Sequence, residues 1–399
     1  MKILVLNCGS SSVKYKLFDM TDGGNVIAAG GVEKIGLPDS CNVIKLADGS
    51  KKTLMRNMPT HTEAIAFIFE TLTQGEYAAI KSMDEINAVG HRVVHGGEKF
   101  NKSVVIDDKV LAQIEKCSDM APLHNPANIE GIKTIAKILP NVPQVAVFDT
   151  AFHQTMPKKA FMYAVPYALY EKYGIRRYGF HGTSHRYVSA RACEFLGIPV
   201  KGTKMITCHV GNGGSITAVK DGESVDTTMG FTPLEGLIMG TRSGDIDAGA
   251  VTYIMRKENL DAAGVSSLLN KKSGVEGIWG GSSDMRDTQA AADAGNKNAA
   301  LAIDMYMYRW VKYIGAFTAA LGGVDVIVLT GGVGENQAPL RKILCDNLGF
   351  LGVKLDEEAN KCRGIERVIS TPDSKVTVVI IPTDEELMIA QDTMALVKC

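Results

Sequence analysis

The amino-terminal end of this chain combines a buried strand with a turn of glycine and serine. Residues 3–6 are all apolar, which is typical of a strand buried on both faces. A polar turn follows at 7–12, and apolar and basic residues then alternate over 13–17. We predict a β-hairpin whose turn offers N–H groups, hydroxyls and an amide to phosphate oxygens, although the stretch alone fits an ordinary polar turn equally well.

The same design recurs about half a chain later, at residues 204–222. There an apolar strand leads into the glycine-rich turn 211–215, and a second alternating strand follows. A third junction between a strand and glycines lies at 324–336, after a helical pattern over 299–321 that ends at two glycines. The repetition predicts an α/β chain built as two halves on one plan.

Composition excludes several classes of function. The 399 residues suffice for two or three domains, and the 45% hydrophobic content is typical of a soluble globular enzyme. The 43 basic and 44 acidic residues give no excess charge that would attract nucleic acid or an acidic membrane. The eight cysteines are scattered without a C-x-x-C pair, which indicates a reducing compartment. Because the chain begins directly with a strand and has no apolar run as long as a membrane span, we expect a cytoplasmic protein without a signal peptide.

The glycine turns do not match the two commonest nucleotide-binding motifs. There is no Gly-Lys dipeptide, so a Walker A motif is excluded, and no G-x-G-x-x-G follows the first strand. We therefore predict that the turns at 7–12, 211–215 and 331–335 bind one nucleotide across a cleft, although each alone also fits a tight turn.

Two arginines stand in unusual surroundings. Arg92 lies inside an apolar strand pattern at 86–97, and Arg242 lies in the glycine-rich loop 239–244. A buried guanidinium needs an anion, because leaving it unpaired is costly. A substrate anion and a structural carboxylate satisfy that need equally well for Arg92, whereas the loop favours a functional role for Arg242.

Two histidines have the i, i+4 spacing of a zinc-binding helix. They are His181 and His185, but the glutamate of H-E-x-x-H is missing and Gly182 disfavours a helix there. We therefore predict an imidazole close to a transferring phosphoryl oxygen instead of a zinc ligand. His124, before a cap-and-proline helix start at 125–126, is a second candidate.

Two carboxylates are candidates for a magnesium site. Asp149 follows a buried strand pattern at 142–148, at the strand end where ligands gather in open α/β sheets. Glu385 lies at the start of the last helix. Either carboxylate could hold Mg²⁺ directly or through water, but an acid at a helix N-terminus is stabilising without any metal.

Eight motifs in one order resemble the acetate kinase (acetokinase) family, within the superfamily of sugar kinases, heat-shock chaperones and actin. The resemblance extends over essentially all 399 residues, and its most specific parts are these motifs: VLNCGSSSVK (5–14), GHRVVHGG (90–97), PLHNP (122–126), FDTAFH (148–153), YGFHGTSH (178–185), HVGNGGS (209–215), GTRSGD (240–245) and PTDEELMIA (382–390). The resemblance implies an α/β fold of two duplicated actin-like (ribonuclease H-like) ATPase domains with a nucleotide cleft between them. The first domain would span 1–150, completed by the helix 385–399, and the second, nucleotide-binding domain would span 151–384.

A member of this family would transfer the γ-phosphoryl group of ATP reversibly to the carboxylate of acetate, giving acetyl phosphate and ADP. The resemblance implies Mg²⁺ (or Mn²⁺) as cofactor and a homodimer as the assembly, with no nucleic acid or membrane partner. Propionate or butyrate kinase of the same family is an alternative, since the sequence does not define the depth of the acyl pocket. A mechanical ATPase like actin or the chaperones is another, but it would not need Arg92, Arg242 and His181 together.

The functional residues of the family carry over to matching positions of this chain. Catalysis is implied for Asp149, Arg92, Arg242, His181 and His124. The substrate, with Arg92 at its carboxylate, would contact Val94, Leu123, Phe180 and Pro233. The metal would be held by Asn7 and Glu385. The nucleotide and its phosphates would contact Ser10, Ser12, Lys14, His209, Val210, Gly211, Asn212, Gly213, Asp284, Met285, Arg286, Gly332, Val333, Gly334 and Asn336. The strand that carries Lys14 equally allows this side chain to point to solvent.

Overall fold

The computed structural model describes residues 1–46, 48–122 and 124–398. The chain divides into two compact units, of which unit 1 comprises Met1–Phe152 and Asp384–Cys399 and unit 2 comprises His153–Thr383. Across the described residues, none of the helices has both the length and the apolar character needed to span a membrane.

Unit 1 contains a mixed sheet. Its described strands are β1 (Lys2–Gly9), β2 (Ser12–Asp19), β3 (Asn25–Glu33), β4 (Cys41–Lys45), β5 (Lys51–Met55), β6 (Ile86–Val93), β7 (Val104–Val105) and β8 (Gln144–Phe148). They lie in the order β5-β4-β3-β2-β1-β6-β8-β7. The predicted hairpin is confirmed, because β1 and β2 pair antiparallel with Gly9 opposite Ser12. On its other side β1 is parallel to β6, and β6 is parallel to β8.

Unit 2 repeats this plan. Its described strands are β9 (Lys204–Val210), β10 (Gly214–Lys220), β11 (Glu223–Thr227), β12 (Val326–Thr330), β13 (Arg367–Val368) and β14 (Thr377–Ile380). Their order, β11-β10-β9-β12-β14-β13, matches β3-β2-β1-β6-β8-β7 strand for strand, with the same parallel and antiparallel neighbours. The prediction of two halves built on one plan is confirmed.

Helices cover these sheets. The described α-helices are α1 (His61–Thr73), α2 (Asp108–Lys116), α3 (Asn125–Ile138), α4 (Lys158–Phe161), α5 (Tyr167–Tyr173), α6 (Gly182–Leu196), α7 (Ala248–Lys257), α8 (Ala262–Lys271), α9 (Gly274–Trp279), α10 (Met285–Asp293), α11 (Lys297–Leu321), α12 (Gly331–Asn336), α13 (Ala338–Asn347) and α14 (Glu385–Val397). The long helix α11 is capped by Asn296 and ends at Gly322, which has the left-handed conformation predicted for a helix-ending glycine.

The alternation of side chains along β1 explains why this strand is apolar throughout. Leu4 and Leu6 pack towards α1 and α3, whereas Ile3 and Val5 pack towards α14 on the opposite face. Helix α14 approaches β6 closely at Gly90, where an added Cβ would lie 2.5 and 2.6 Å from side-chain atoms of α14. The last helix of the chain therefore belongs to the core of unit 1.

Candidate active site

The carboxyl ends of β1, β6 and β8 bring three polar side chains of unit 1 together. Asn7 lies near the end of β1, Arg92 near the end of β6, and Asp149 directly after β8. Because the three strands are parallel neighbours, their carboxyl ends share one edge of the sheet, where ligands bind in open α/β folds.

Arg92 and Asp149 form a two-point ion pair. Arg92 Nε and Nη2 donate to the two carboxylate oxygens at 3.1 and 2.5 Å, and Nη1 donates to Asn7 Oδ1 at 3.1 Å. The Asp149 side chain is 1% exposed and that of Arg92 is 24% exposed. Burial disfavours the guanidinium charge, yet Asp149 outweighs it and raises the pKa of Arg92 above its ordinary value. Arg92 thus has a carboxylate partner within the protein, and this pair fixes the plane of its guanidinium.

Glu385, the first residue of α14, lies in the electrostatic field of the same cluster. Burial raises the pKa of Glu385 to about 7; Arg92 and Lys14 act to lower it, and Asp149 and Glu386 to raise it. Crowded carboxylates of this kind favour a proton or a cation.

This cluster fits the way in which proteins hold Mg²⁺. Among the residues that the structure describes, no three or more His, Cys, Asp or Glu side chains form a metal-binding group. Mg²⁺, however, keeps several waters and uses one or two carboxylates together with substrate phosphates. The oxygen donors Asn7, Asp149 and Glu385 match that requirement.

The turn between β1 and β2 carries the other candidate phosphate ligands of unit 1. Ser10 and Lys14 are exposed, and Ser12 is partly buried. His61 Nε2 lies 2.7 Å from the carbonyl oxygen of Gly9, which only accepts hydrogen bonds. His61 therefore donates a hydrogen bond to this carbonyl, which fixes the start of the turn against α1.

The remaining candidates of unit 1 lie beyond β6 and before α3. Val94 is buried, and its N–H donates to Asn128 Oδ1 at 3.2 Å. His124 occupies the N-cap position of α3 without a side-chain capping bond. The prediction that Asn125 caps this helix is wrong, because its amide bonds to backbone groups, including those that follow β6. Leu123 lies outside the described residues.

In unit 2, the predicted second phosphate turn connects β9 and β10. Gly211 N–H donates to the carbonyl of Gly213 at 2.8 Å, so the turn closes on itself. Gly240 N–H donates to the carbonyl of Asn212 at 3.0 Å, which ties the turn to the loop that carries Arg242.

His181 lies beside this turn, at the N-cap of α6. The expectation that Gly182 disfavours a helix is wrong: α6 begins at Gly182, since the left-handed His181 (φ 56°, ψ 23°) reverses the chain just before it. The imidazole of His181 stacks on that of His209, with ring centroids 4.3 Å apart. Two predicted phosphate-binding histidines are thus in contact.

Arg242 points to the same place. A Cβ at Gly213 would lie 3.6 Å from Arg242 Nη1 and 3.8 Å from His181 Nε2. Arg242 Nη1 donates to the carbonyl of Pro233 at 3.2 Å, and none of the ion pairs among the described residues includes Arg242. Burial lowers the pKa of this guanidinium. A partly buried arginine without a carboxylate, beside a glycine turn, is suited to an incoming anion.

A cavity of about 570 Å³ continues from the turn, within the usual range of ligand pockets. It is lined by Gly211, Asn212, Ser283, Asp284, Met285, Arg286, Gly332, Val333, Asn336, Gln337 and Arg363. Most of the predicted nucleotide-binding residues of unit 2 are therefore brought together. Ser283, Gln337 and Arg363 were not predicted from the sequence, although the first two adjoin predicted residues in the chain.

Not every predicted nucleotide contact lines this cavity. Val210 and Gly334 are buried and are not among its lining residues, and the Gly334 carbonyl accepts a hydrogen bond from Arg341 at 3.2 Å. At the rim, hydrogen bonds from Arg286 lower the pKa of Asp284 to about 2. Phe180 is buried directly before His181.

Two α/β units on one strand plan, with glycine turns, an arginine–histidine cluster and an adjoining ligand cavity, are the features of a phosphotransferase. More specifically, the chain belongs to the acetokinase family, whose family model matches residues 2–391. It is 66% identical over 398 residues to the acetate kinase of Phocaeicola vulgatus, covering 100% of both chains. The crystal structure of Porphyromonas gingivalis acetate kinase superposes with a TM-score of 0.96 at 56% identity, over 99% of each chain. A propionate kinase from Francisella tularensis superposes with a TM-score of 0.92 at 42% identity, again over 99% of each chain.

Proposed function

We propose that this chain catalyses the reversible transfer of the γ-phosphoryl group of ATP to acetate, giving acetyl phosphate and ADP. The observation that carries the proposal is the cluster of Arg242, His181 and Gly213 next to the cavity of unit 2. This cluster supports the proposal because a cation and an imidazole lie beside the glycine turn that adjoins the cavity, where they would meet the phosphates of a bound nucleotide. The full-length similarity to acetate kinases supports acetate as the acceptor.

Phosphoryl transfer to acetate requires neutralisation of negative charge more than it requires a general base. An acetate oxygen forms the new bond to the γ-phosphorus, while the bond from this phosphorus to the β–γ bridging oxygen breaks and ADP leaves with the electron pair. Acetate is already a nucleophile at neutral pH, so no proton has to be removed. The obstacle is the repulsion between two anions, which fixed cationic groups reduce.

Each group in the proposed site has a role. Arg92, held by Asp149, would bind the acetate carboxylate, and Arg242 would bind the transferring phosphoryl group. The protonated form of His181 would donate a hydrogen bond to the phosphoryl oxygens, with His124 as a further contact. When bound, Mg²⁺ would supply positive charge to the phosphates.

The remaining substrate contacts follow from the two glycine turns and the cavity. Asn7 and Glu385 would hold the metal, with Asp149 close to them. The acyl group would contact Val94, Leu123, Phe180 and Pro233. The nucleotide would contact Ser10, Ser12 and Lys14 in unit 1, and His209, Gly211, Asn212, Gly213, Asp284, Met285, Arg286, Gly332, Val333 and Asn336 in unit 2.

The length of the acyl chain is the open choice within this reaction. A propionate kinase shares the fold closely, so backbone similarity does not select between acetate, propionate and butyrate. We favour acetate because the more similar relatives are acetate kinases.

The assembly proposed is a cytoplasmic homodimer. Helix α11 exposes Leu301, Met305 and Tyr308, which share one face at i, i+4 and i+7 spacing. A second copy would cover this face. Light scattering should give the mass of a dimer for the wild type and of a monomer for the double variant Leu301→Glu, Tyr308→Glu; a monomeric wild type would contradict the proposal.

Trapping of the product tests the activity. The protein is incubated with MgATP and acetate, propionate or butyrate, and the acyl phosphate is captured with hydroxylamine. We expect acetate to give the largest kcat/KM and Arg242→Ala to lose most of it, whereas the exposed Arg256→Ala serves as the matched control with wild-type turnover. Absence of acyl hydroxamate with all three acids would exclude the kinase function.

A further inference from the structure

Two histidines that the proposed mechanism leaves unused lie close to His181. His153 and His185 are buried, and the ring centroid of His185 lies 6.5 Å from that of His181. Such a group of neutral imidazoles can position a neighbour through its nitrogen atoms, because each ring has one donor and one acceptor.

The backbone of His181 is held in an unusual conformation. Its φ of 56° lies in the left-handed region, which is uncommon for residues other than glycine. His153 Nε2 lies 2.9 Å from the carbonyl oxygen of Phe180, immediately before this residue. Because a carbonyl only accepts, Nε2 carries the hydrogen, and His153 Nδ1 accepts from Ser224, 2.9 Å away. Burial lowers the pKa of His153 to about 4, so this arrangement persists at neutral pH.

A chain of hydrogen bonds runs from Thr207 through His185 and Ser215 to Nδ1 of the His181 ring. The Thr207 hydroxyl lies 3.5 Å from the carbonyl oxygen of Thr217, at the upper limit for a hydrogen bond, and 2.7 Å from His185 Nδ1. We assign its hydrogen to the carbonyl, which only accepts, so that its oxygen accepts from His185 Nδ1–H. Burial, followed by the proximity of His153 and His209, holds the pKa of His185 well below its ordinary value. His185 is therefore neutral, and its Nε2 is an acceptor.

The direction of the next two bonds follows. Ser215 Oγ lies 2.7 Å from His185 Nε2 and 2.9 Å from His181 Nδ1. Its single hydrogen goes to His185, so its oxygen accepts from His181 Nδ1–H. The opposite edge of the ring, Nε2, is the edge near Gly213 and the phosphate turn. A second proton on His181 therefore resides on Nε2, facing that turn.

We propose that Ser215 and His185 are positioning residues for phosphoryl transfer, which keep a hydrogen on His181 Nδ1 and so direct Nε2 to the transferring group. The role in transfer rests on the proposed function, whereas the tautomer is a property of the folded protein alone. Replacing Ser215 removes the acceptor at Nδ1 and allows the ring to turn or to change tautomer.

The test compares Ser215→Ala with Ser215→Thr, which keeps the hydroxyl, and with Ser370→Ala, which removes another buried serine hydroxyl of unit 2 that accepts from the backbone of β14. Steady-state kinetics give kcat and both KM values, and NMR of protein labelled with ¹⁵N-histidine, with His181→Gln for assignment, gives the tautomer. We expect Ser215→Ala to lower kcat about 10- to 100-fold with little change in either KM, and Ser215→Thr to recover most of it. Ser370→Ala should keep the wild-type kcat.

The NMR result is independent of activity. In the wild type we expect His181 to carry its hydrogen on Nδ1 and Ser215→Ala to lose that signal. A wild-type His181 with its hydrogen on Nε2, or a kcat of Ser215→Ala within about two-fold of the wild type, would overturn the proposal. If Ser215→Ala does not fold, the wild-type spectrum still decides the tautomer. A wild type that makes no acyl phosphate would refute the proposed function and not the hydrogen-bond chain.

Discussion

Replacing Glu385 with glutamine is expected to stabilise the protein at neutral and alkaline pH. Burial raises the pKa of this carboxyl from its ordinary value of 4.5 to about 7, with Asp149 and Glu386 adding to the effect against the opposing charge of Arg92. Between these two values, the folded protein retains a proton that the unfolded chain has released, so stability falls as the pH rises. The difference from 4.5 to about 7 corresponds to about 3 kcal/mol. Glutamine, being neutral at every pH, avoids this loss.

Urea unfolding of the wild type and of Glu385→Gln at several pH values measures this difference. We expect the advantage of the variant to be small at about pH 5 and to grow to about 3 kcal/mol at about pH 8. Glu115→Gln is the matched control: it removes an exposed ion pair with Lys133 and should give no such gain, because Glu115 is not among the groups that shift the pKa of Glu385. Added Mg²⁺ should reduce the advantage, because a bound cation stabilises the carboxylate. A difference between wild type and variant that does not change with pH would refute the reasoning.

Three further predictions follow from single contacts. Arg242→Ala should lose most turnover with little change in melting temperature, since none of the described carboxylates pairs with it. Arg92→Ala should lose turnover and also stability, because it leaves the buried carboxylate of Asp149 unpaired. Wild-type rates in either variant would contradict the mechanism. Arg363→Ala should raise KM for ATP and leave KM for acetate unchanged in steady-state assays, since Arg363 lines the cavity; an unchanged KM for ATP would exclude a role in nucleotide binding. Gly90→Ala should destabilise the fold by about 1–3 kcal/mol in urea, because its Cβ would overlap α14, and an unchanged midpoint would contradict that packing.

The hairpins and the helix end could be predicted because each depends on residues that are close together in the sequence. The strand periodicity at both ends of the 7–12 turn defines β1 and β2, and its recurrence at 204–222 reveals the repeated plan. The end of α11 at Gly322 follows from the special conformational freedom of glycine.

Contacts between distant residues could not be read from the sequence. The sequence did not identify the partner of Arg92, because a protein carboxylate and a substrate anion satisfy a guanidinium equally well. In the folded protein β6 lies next to β8, and this brings Asp149 into contact with Arg92. The start of α6 was misjudged because a glycine at the first helical position does not oppose a helix when the preceding His181 adopts the left-handed conformation. Arg363 lies far along the chain from the other cavity residues, so nothing local associates it with them.

The most direct test of phosphoryl transfer to a carboxylate is ³¹P NMR of the running reaction. With MgATP and acetate, the γ-phosphate signal should decrease while signals of acetyl phosphate and ADP grow in equal amounts, and adding acetyl phosphate and ADP should reverse the change. Release of inorganic phosphate with no acetyl phosphate at any stage would identify an ATPase instead, and would contradict the proposed function.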